Sequence, residues 1–548
     1  MNGFDVRFAE ALMRLPDYLG SHVLVSVTAL LLGLAVSLPL ALVAVRRPAL
    51  RNVALALTSI VQTIPGLALL ALFYPLLLGI AALSEEWTGF GFSALGFLPS
   101  VLALALYSML PVLRNTVTGL MGIDPAVSEA ALGVGMTRRQ SLWMVELPLA
   151  LPVIMAGIRT SAVWVIGTAT LSTPVGQTSL GNYIFAGLQT QNWVFVLFGC
   201  FAAAVLALAV DLLLAQVERG VQSRQRTRSY AGALGLLLLC LAAVVPGLSR
   251  PASGAVVGTK PFAEQYILGA LIQQRMAANG VRAARRDGLG SIVLFNALAA
   301  NEVDVYVDYS GTIWANQMGR SDVKPRAEVI AAVTQWLAEN YRIRNLGELG
   351  FENAYSLAIP RAKARALGIR SITDLVIHAP QLSIAGDYEF FARPEWVALR
   401  DGYGLAFREQ RQMQSEFMYA AAAAGEVDVI AAYTSDGRIA QHDLVVLDDP
   451  KQAIPPYDAI LLVSPRRAND MAFLTALRPL LRAIDVTLMR AANLRVAKGG
   501  NDSSPEAVAR WLWGEMQKRK TPVIPGPEHP DRRFAPSGHR LRERARDP

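Results

Sequence analysis

Apolar residues run in long, almost uncharged blocks over the first 250 positions and in short, interrupted blocks thereafter. A helix that crosses a bilayer needs about 20 consecutive apolar residues. Residues 23–45 (VLVSVTALLLGLAVSLPLALVAV) meet that need, as do the regions 52–84 and 87–113. The uncharged stretch 160–210 is too long for one crossing. It divides at the polar segment GQTSLGNYIFAGLQTQN (176–192) into spans near 152–173 and 193–215, and a sixth run follows at 231–248. From residue 256 the pattern changes. Short β-rich runs (AVVGTK, VDVYVDY, YSLAIP, LSIAG, VDVIAAY, LVVL, AILLV) alternate with helical stretches such as 327–340 and 467–483, which predicts an α/β fold with parallel strands. Within it, residues 302–310 (EVDVYVDYS) echo residues 426–434 (EVDVIAAYT), and each follows an Ala-rich helical stretch. Two lobes built on one plan would produce that echo.

Charge sharpens the division. The first 250 residues hold 14 Arg, no Lys and 10 acids, whereas the remaining 298 hold 37 basic and 33 acidic residues. The expected architecture is an α-helical membrane domain of about six spans over 1–250, an α/β two-lobed domain over 256–520, and a disordered Pro- and Arg-rich tail over 521–548. The connections also alternate in charge. The first carries Arg46, Arg47 and Arg51, the third Arg114, Arg138 and Arg139, and the fifth Arg219, Arg224, Arg226 and Arg228. The second carries Glu85 and Glu86 without a base, and the fourth is uncharged. Basic loops stay in the cytoplasm, so the N-terminus and everything after residue 250 are expected outside. The sixth run, 231–248, is read as an uncleaved anchor, although a basic flank and small residues at Ser253, Gly254 and Ala255 would also suit a signal peptide.

Several chemistries are excluded. No basic stripe with interleaved aromatics suggests nucleic acid. Cys200 and Cys240 lie in apolar runs, and the five His have no metal-ligand spacing, so no metal site is expected. There is no phosphate-binding G-x-x-x-x-G-K-[ST] loop and no nucleophile elbow, which leaves a chain with no catalytic residues, no enzyme activity and no cofactor of its own.

The third connection, 124–152, stands out. Asp124-Pro125 can start a helix, an Ala-rich stretch follows, and Gly133 and Gly135 interrupt it before a second helix runs toward Pro148 and Pro152. Gly135 is expected to allow a tight path where a Cβ would clash. Read alone, this is an amphipathic loop or a shape that docks into a partner. Arg159 and Asp211, inside the fourth and fifth spans, are read as structural.

Glu129-Ala130-Ala131, Gly135, Val145 and Leu147-Pro148 resemble the E-A-A-x₃-G-x₉-I-x-L-P loop of ABC importer permeases, with Val145 in place of Ile. SIVQTIPGLALLALFYPLL (59–77), YSMLPVLRNTVTGL (107–120), ELPLALPVIMAGIRTS (146–161) and TPVGQTSLGNYIFAGL (173–188) resemble the osmoprotectant branch. GTKPFAEQYIL (258–268), DYSGT (308–312), ENAYSLAIP (352–360), EFFARPEW (389–396), AAYTSDGRI (431–439) and PPYDA (455–459) resemble that branch's binding proteins for glycine betaine, carnitine and choline. The resemblance implies a permease fused to a periplasmic-binding-protein-like domain on the outer side of a bacterial inner membrane. It implies a separate ABC ATPase dimer that binds the ATP and docks on 124–152, and a second permease copy, most simply a homodimer.

A quaternary ammonium donates no hydrogen bond and is held best by aromatic faces. The resemblance places Tyr309, Tyr355, Tyr433 and Tyr457 in an aromatic cage and assigns Lys260, Arg393 and Thr312 to the ligand's carboxylate. Tyr309 and Tyr433 end the two echoed strands, where ligands of α/β sheets gather. Two readings remain beside the osmoprotectant importer: an ergothioneine importer of the same build, and a tethered receptor without transport, against which the coupling loop argues.

Overall fold

The computed structural model describes residues 3–88, 92, 94–190, 192–223, 225–248, 254–320, 322–387, 390–500 and 502–520. The tail 521–548 lies outside the described residues, as does the 249–253 segment beside the possible cleavage site.

The front half is helical. Its long elements are α1 (Gly3–Arg46), α2 (Pro48–Thr63), α3 (Gly66–Thr88) and α4 (Phe97–Met121). After the short α5 (Pro125–Gly133) and α6 (Arg138–Ser141) come α7 (Leu147–Ala169), α8 (Gly181–Gln189), α9 (Trp193–Gln222) and α10 (Arg226–Leu248). Among the described residues, five stretches are long and apolar enough to cross a membrane: Arg7–Arg46, Gly66–Thr88, Phe97–Met121, Arg138–Val175 and Trp193–Gln222. The sixth apolar run forms α10, a 23-residue helix. It belongs to the bundle, because a Cβ added at Gly20 of α1 would lie 2.4 Å from the Ala243 carbonyl oxygen of α10.

Two features depart from the sequence reading. The region 52–84 is not one helix but two, broken at Ile64-Pro65. Ile64 is extended (φ −73°, ψ 127°), because a residue before proline is disfavoured in the helical region. And α1 starts twenty residues before the apolar run 23–45. At 1.5 Å per residue its 44 residues span about 66 Å, roughly twice the hydrocarbon core.

Among the described residues the back half contains two five-stranded sheets, the first forming lobe one and the second lobe two. The first has the order β2 (Ala283–Arg286), β1 (Ala255–Gly258), β3 (Val305–Tyr309), β10 (Asp458–Val463), β4 (Arg344–Glu352). The second has β7 (Glu409–Gln412), β6 (Ser383–Gly386), β8 (Val429–Tyr433), β5 (Tyr355–Pro360), β9 (Leu444–Val446). Both sheets are mixed, which corrects the all-parallel expectation. β1, β2 and β3 are parallel, as are β6, β7 and β8, but β10 runs antiparallel to β3 and β4, and β5 to β8 and β9. The chain therefore enters each sheet's antiparallel strand from the other lobe, over two crossovers near residues 352–355 and 447–458.

The echoed segments occupy equivalent places. β3 and β8 are each the central strand, with a parallel neighbour on one side and an antiparallel one on the other. Their side chains are buried on both faces, which is why they read as continuous β-rich runs rather than alternating ones. Apolar clusters cover both faces of each sheet. One of these continues into the membrane half, where Tyr74, Leu77, Ala94 and Leu95 join Leu289, Leu294 and Phe295.

Candidate functional site

A cleft of about 290 Å³ opens between the two lobes. All seven sequence-nominated ligand residues line it: Tyr309, Tyr355, Tyr433, Tyr457, Lys260, Arg393 and Thr312. The backbone explains why. Tyr309 and Tyr433 end the central strands, and Tyr457 and Tyr355 stand at the start of the antiparallel neighbours, so each lobe contributes one such pair. In lobe two the register sets Tyr355 directly opposite Tyr433.

The four rings are not equivalent. Tyr355 is central, with its ring centroid 4.9 Å from Tyr433 and 6.4 Å from Tyr457, the latter edge-on. Tyr309 instead stacks on Phe262 at 6.3 Å. Asp387 organises the first pair. It accepts hydrogen bonds from the hydroxyls of Tyr433 and, at 3.1 Å, Tyr355, and from the Phe390 N–H at 2.9 Å. Burial pushes the Tyr433 hydroxyl far above its ordinary pKa, with Tyr355 and Asp387 adding to the effect, so it remains a proton donor.

The residues assigned to the ligand's carboxylate differ as well. Lys260 is buried and pairs with Asp308 at 2.5 Å. Asp308 also accepts from the Tyr306 hydroxyl and the Tyr309 N–H, so the Lys260 charge is already met within lobe one. Arg393 places its guanidinium 5.2 Å from the Tyr355 ring centroid and donates to the Tyr355 hydroxyl at 3.4 Å. Its Nε lies 3.5 Å from Glu395, which accepts from the Tyr457 hydroxyl. Thr312 lies buried in the turn after β3.

Sequence reasoning missed Asp387, Glu395 and Glu264. Asp387 directly follows the strand run LSIAG, and a strand's carboxyl end was the available signal. Glu264 is buried and accepts from Tyr309 Oη (2.6 Å), Ser435 Oγ (2.5 Å), Asn493 Nδ2 (2.8 Å) and Asn353 Nδ2 (3.1 Å). It thereby joins lobe one, a crossover and lobe two. Burial raises its pKa, although these hydrogen bonds pull it back. Gln189 and Thr190 of the membrane half also line the cleft.

The third connection folds as two short helices. The Asp124 side chain caps α5 by accepting from Ala126 N–H at 2.9 Å, and Thr137 and Gln140 form a reciprocal capping box on α6. Glu129 and Ala130 are exposed and Ala131 is buried. The expected clash at Gly135 is not present, since an added Cβ would meet nothing within 4 Å. Glycine is required there because φ is +86°, a conformation that L side chains avoid. Leu147 and Pro148 begin α7. Exposed Leu132, Val134, Trp143 and Met144 complete an apolar face on this loop. Arg159 and Asp211 meet each other through two 2.9 Å bonds, and Arg159 reaches Glu218 at 3.0 Å. This network ties α7 to α9.

Residues 30–223 match the family described as binding-protein-dependent transport system inner membrane component. Residues 255–513 match the substrate binding domain of the ABC-type glycine betaine transport system. The glycine betaine/carnitine/choline transport system permease protein of Bacillus subtilis is 39% identical over 202 residues, covering 37% of this chain and 86% of that protein. This chain belongs to the ABC importers of the glycine betaine/carnitine/choline type. It combines their permease and their substrate-binding domain in one multi-pass membrane chain, and it is a transporter subunit. The same fusion is seen in the ergothioneine transport permease/ergothioneine binding protein of Helicobacter pylori, 28% identical over 425 residues, which cover 75% of this chain and 74% of that one. A solved glycine betaine/carnitine/choline ABC transporter structure is 23% identical and covers 48% of this chain and 98% of that chain, with a TM-score of 0.43.

Proposed function

We propose that this chain captures a quaternary ammonium compound outside a bacterial inner membrane and passes it between two copies of its permease half. The observation that supports this best is the cluster of Tyr355, Tyr433 and Tyr457 around Asp387 and Glu395 in the interlobe cleft. Aromatic faces with nearby carboxylates suit a cation that offers no hydrogen-bond donor, each face contributing about 0.5–2 kcal/mol. Arg393 supplies the carboxylate end, which favours a betaine over choline. Lys260 and Thr312 support it from lobe one, and Tyr309 closes the wall.

A separate ABC ATPase dimer binds the ATP and seats on residues 124–152, with Glu129, Ala130, Ala131 and Gly135 shaping the contact. Leu147 and Pro148 transmit its movement into α7. Calorimetry on the purified full chain with glycine betaine, carnitine, choline and ergothioneine tests the substrate class. Binding of at least one trimethylammonium carboxylate, weakened about 2- to 30-fold by Tyr355→Ala, is the expected result. Failure to bind any of the four would remove the assignment. Ergothioneine is included because the Helicobacter pylori relative resembles both halves of this chain.

A further inference from the structure

The first twenty residues of α1 precede the apolar run 23–45. They are charged (Arg7, Glu10, Arg14, Asp17) and extend the helix well beyond a bilayer's needs. This extension is braced on the membrane half: the Tyr183 hydroxyl donates to the Ala11 carbonyl at 2.5 Å, and the Arg14 guanidinium sits 5.5 Å from the Phe195 ring centroid. Its other side grips the binding half near the helix Pro505–Lys520. Arg7 donates to Ser503 at 2.8 Å, and Arg14 pairs with Glu506 at 2.8 Å. Glu506 is shared with Arg285 of β2 at 2.6 Å, and Arg285 in turn holds Asp287 at 3.1 Å. The chain Glu10–Arg14–Glu506–Arg285–Asp287 is thus an alternating ion network across the junction, with side chains 10–25% exposed.

All of these partners lie in lobe one. So do Leu289, Leu294 and Phe295, which meet Tyr74, Leu77 and Leu95, and Glu302, which accepts from the Ala94 N–H at 3.0 Å. None of the four cage tyrosines takes part in this ion network. Ligand closure can therefore proceed at the crossovers without breaking it.

We infer that the extracytoplasmic start of α1 is a docking arm that keeps lobe one seated on the permease of its own chain throughout the transport cycle, so that lobe two is the moving part. The partner surface is intramolecular, and the recognition is ionic at Arg14–Glu506–Arg285 with an apolar seat at Tyr74 and Leu95. This inference rests on the fused-importer architecture and not on the substrate.

The test uses the full chain with its partner ATPase in membranes, in a background in which Cys200 and Cys240 are replaced by Ala. Arg7→Cys with Ser503→Cys, treated with a short bifunctional maleimide, should cross-link within one chain to the same extent with and without glycine betaine. The cross-linked transporter should retain uptake within about two-fold. A cross-linked dimer band would mean docking onto the other copy, and loss of uptake on cross-linking would mean that lobe one must leave; either result overturns the inference. The cross-linking readout does not depend on which solute is carried. A second pair of variants reads the ion network. Arg14→Glu should reduce uptake about 30-fold or more while cleft affinity stays unchanged. Arg14→Lys, which keeps the positive charge between Glu10 and Glu506, should retain most of the uptake. Equal defects in Arg14→Glu and Arg14→Lys would exclude the ionic arm.

Discussion

The two lobes carry the same strand plan and use their carboxylates differently. In lobe one, Asp308 is fully buried and its oxygens are taken up by the Lys260 ammonium, the Tyr306 hydroxyl and the Tyr309 N–H. Tyr309 in turn gives its hydroxyl to Glu264. In lobe two, Asp387 lies at the cleft and holds the hydroxyls of two ring-stacked tyrosines. The central strand delivers a tyrosine to the cleft in both cases. What differs is the charge behind it. Lobe one neutralises its charge within its own core and presents a rigid wall, whereas lobe two directs its negative charge at the ring pair that a cation would meet. Changes in lobe one should therefore register as lost stability and changes in lobe two as lost affinity.

The largest effect should come from Asp308→Ala. It strands the Lys260 ammonium in a buried site, and removing one partner of a buried pair costs about 3–5 kcal/mol. Thermal unfolding of the full chain should show the binding half melting roughly 10 °C lower. A shift under 2 °C would mean that lobe one does not depend on this pair, and the contrast between the lobes would weaken.

Asp387→Ala is the counterpart. It removes the acceptor from two hydroxyls, each hydrogen bond to a charged group contributing about 1.5–3 kcal/mol. The cation also loses its facing carboxylate, so affinity for a trimethylammonium ligand should fall about 30- to 1000-fold, and the unfolding temperature should fall less than in Asp308→Ala, because the freed hydroxyls can reach water in the cleft. Calorimetry and thermal unfolding on the same preparation separate the two quantities. A variant that unfolds early and still binds would reverse the roles assigned to the lobes.

A smaller and more selective comparison pairs Tyr433→Phe with Tyr309→Phe. Both keep the ring and delete one hydroxyl. Without the Tyr433 hydroxyl, Asp387 loses a donor beside the ligand, and affinity should drop about ten-fold. Without the Tyr309 hydroxyl, Glu264 still has Ser435, Asn493 and Asn353. Affinity should change less than about two-fold while stability falls by about 1 kcal/mol. Equal affinity losses would show that Tyr309 faces the cation as directly as Tyr433 does.

Much of this arrangement was legible in the sequence because it rests on local pattern. Apolar run length marked the bundle, and the EVDV echo marked two equivalent strands ending in tyrosine. Strand direction was not legible, since β5 and β10 owe their antiparallel sense to the crossovers between lobes and not to their own residues. The break at Ile64-Pro65 was readable from the proline but was hidden by an apolar run that continues on both sides. Asp387 and Glu264 escaped because an isolated acid looks like surface charge until tertiary structure buries it among hydroxyls and amides. Gly135 was identified correctly as a required glycine for the wrong reason: its φ cannot be read from spacing. The start of α1 failed the hydropathy criterion because its charges face the binding half, a partner that no periodicity reveals.

The smallest effect concerns a lobe-one carboxyl that does titrate. Asp458 opens β10 at the crossover and is pushed up to about 6, chiefly by burial. Glu352 and Glu348 add to the rise, and Arg326, 3.3 Å away, opposes it. Because its folded value lies above the ordinary 3.8, the native state binds the proton more tightly than the unfolded chain does. Stability should therefore fall as pH rises from about 4 to 6, and the full penalty should persist above that range. Asp458→Asn removes the charge and keeps the shape. The value of about 6 already includes the attraction to Arg326, and solvent screening at this cleft edge trims the effect, so the net gain at pH 7–8 should be only about 1 kcal/mol. Unfolding of both forms across pH 4–8 should show the variant ahead at neutral pH and the difference closing toward pH 4. If the gap instead widens as the pH falls, Arg326 dominates and Asp458 is a stabilising member of lobe one's self-neutralised set. A flat difference would mean that burial does not set its charge, and lobe one's internal neutralisation would then extend to its edge.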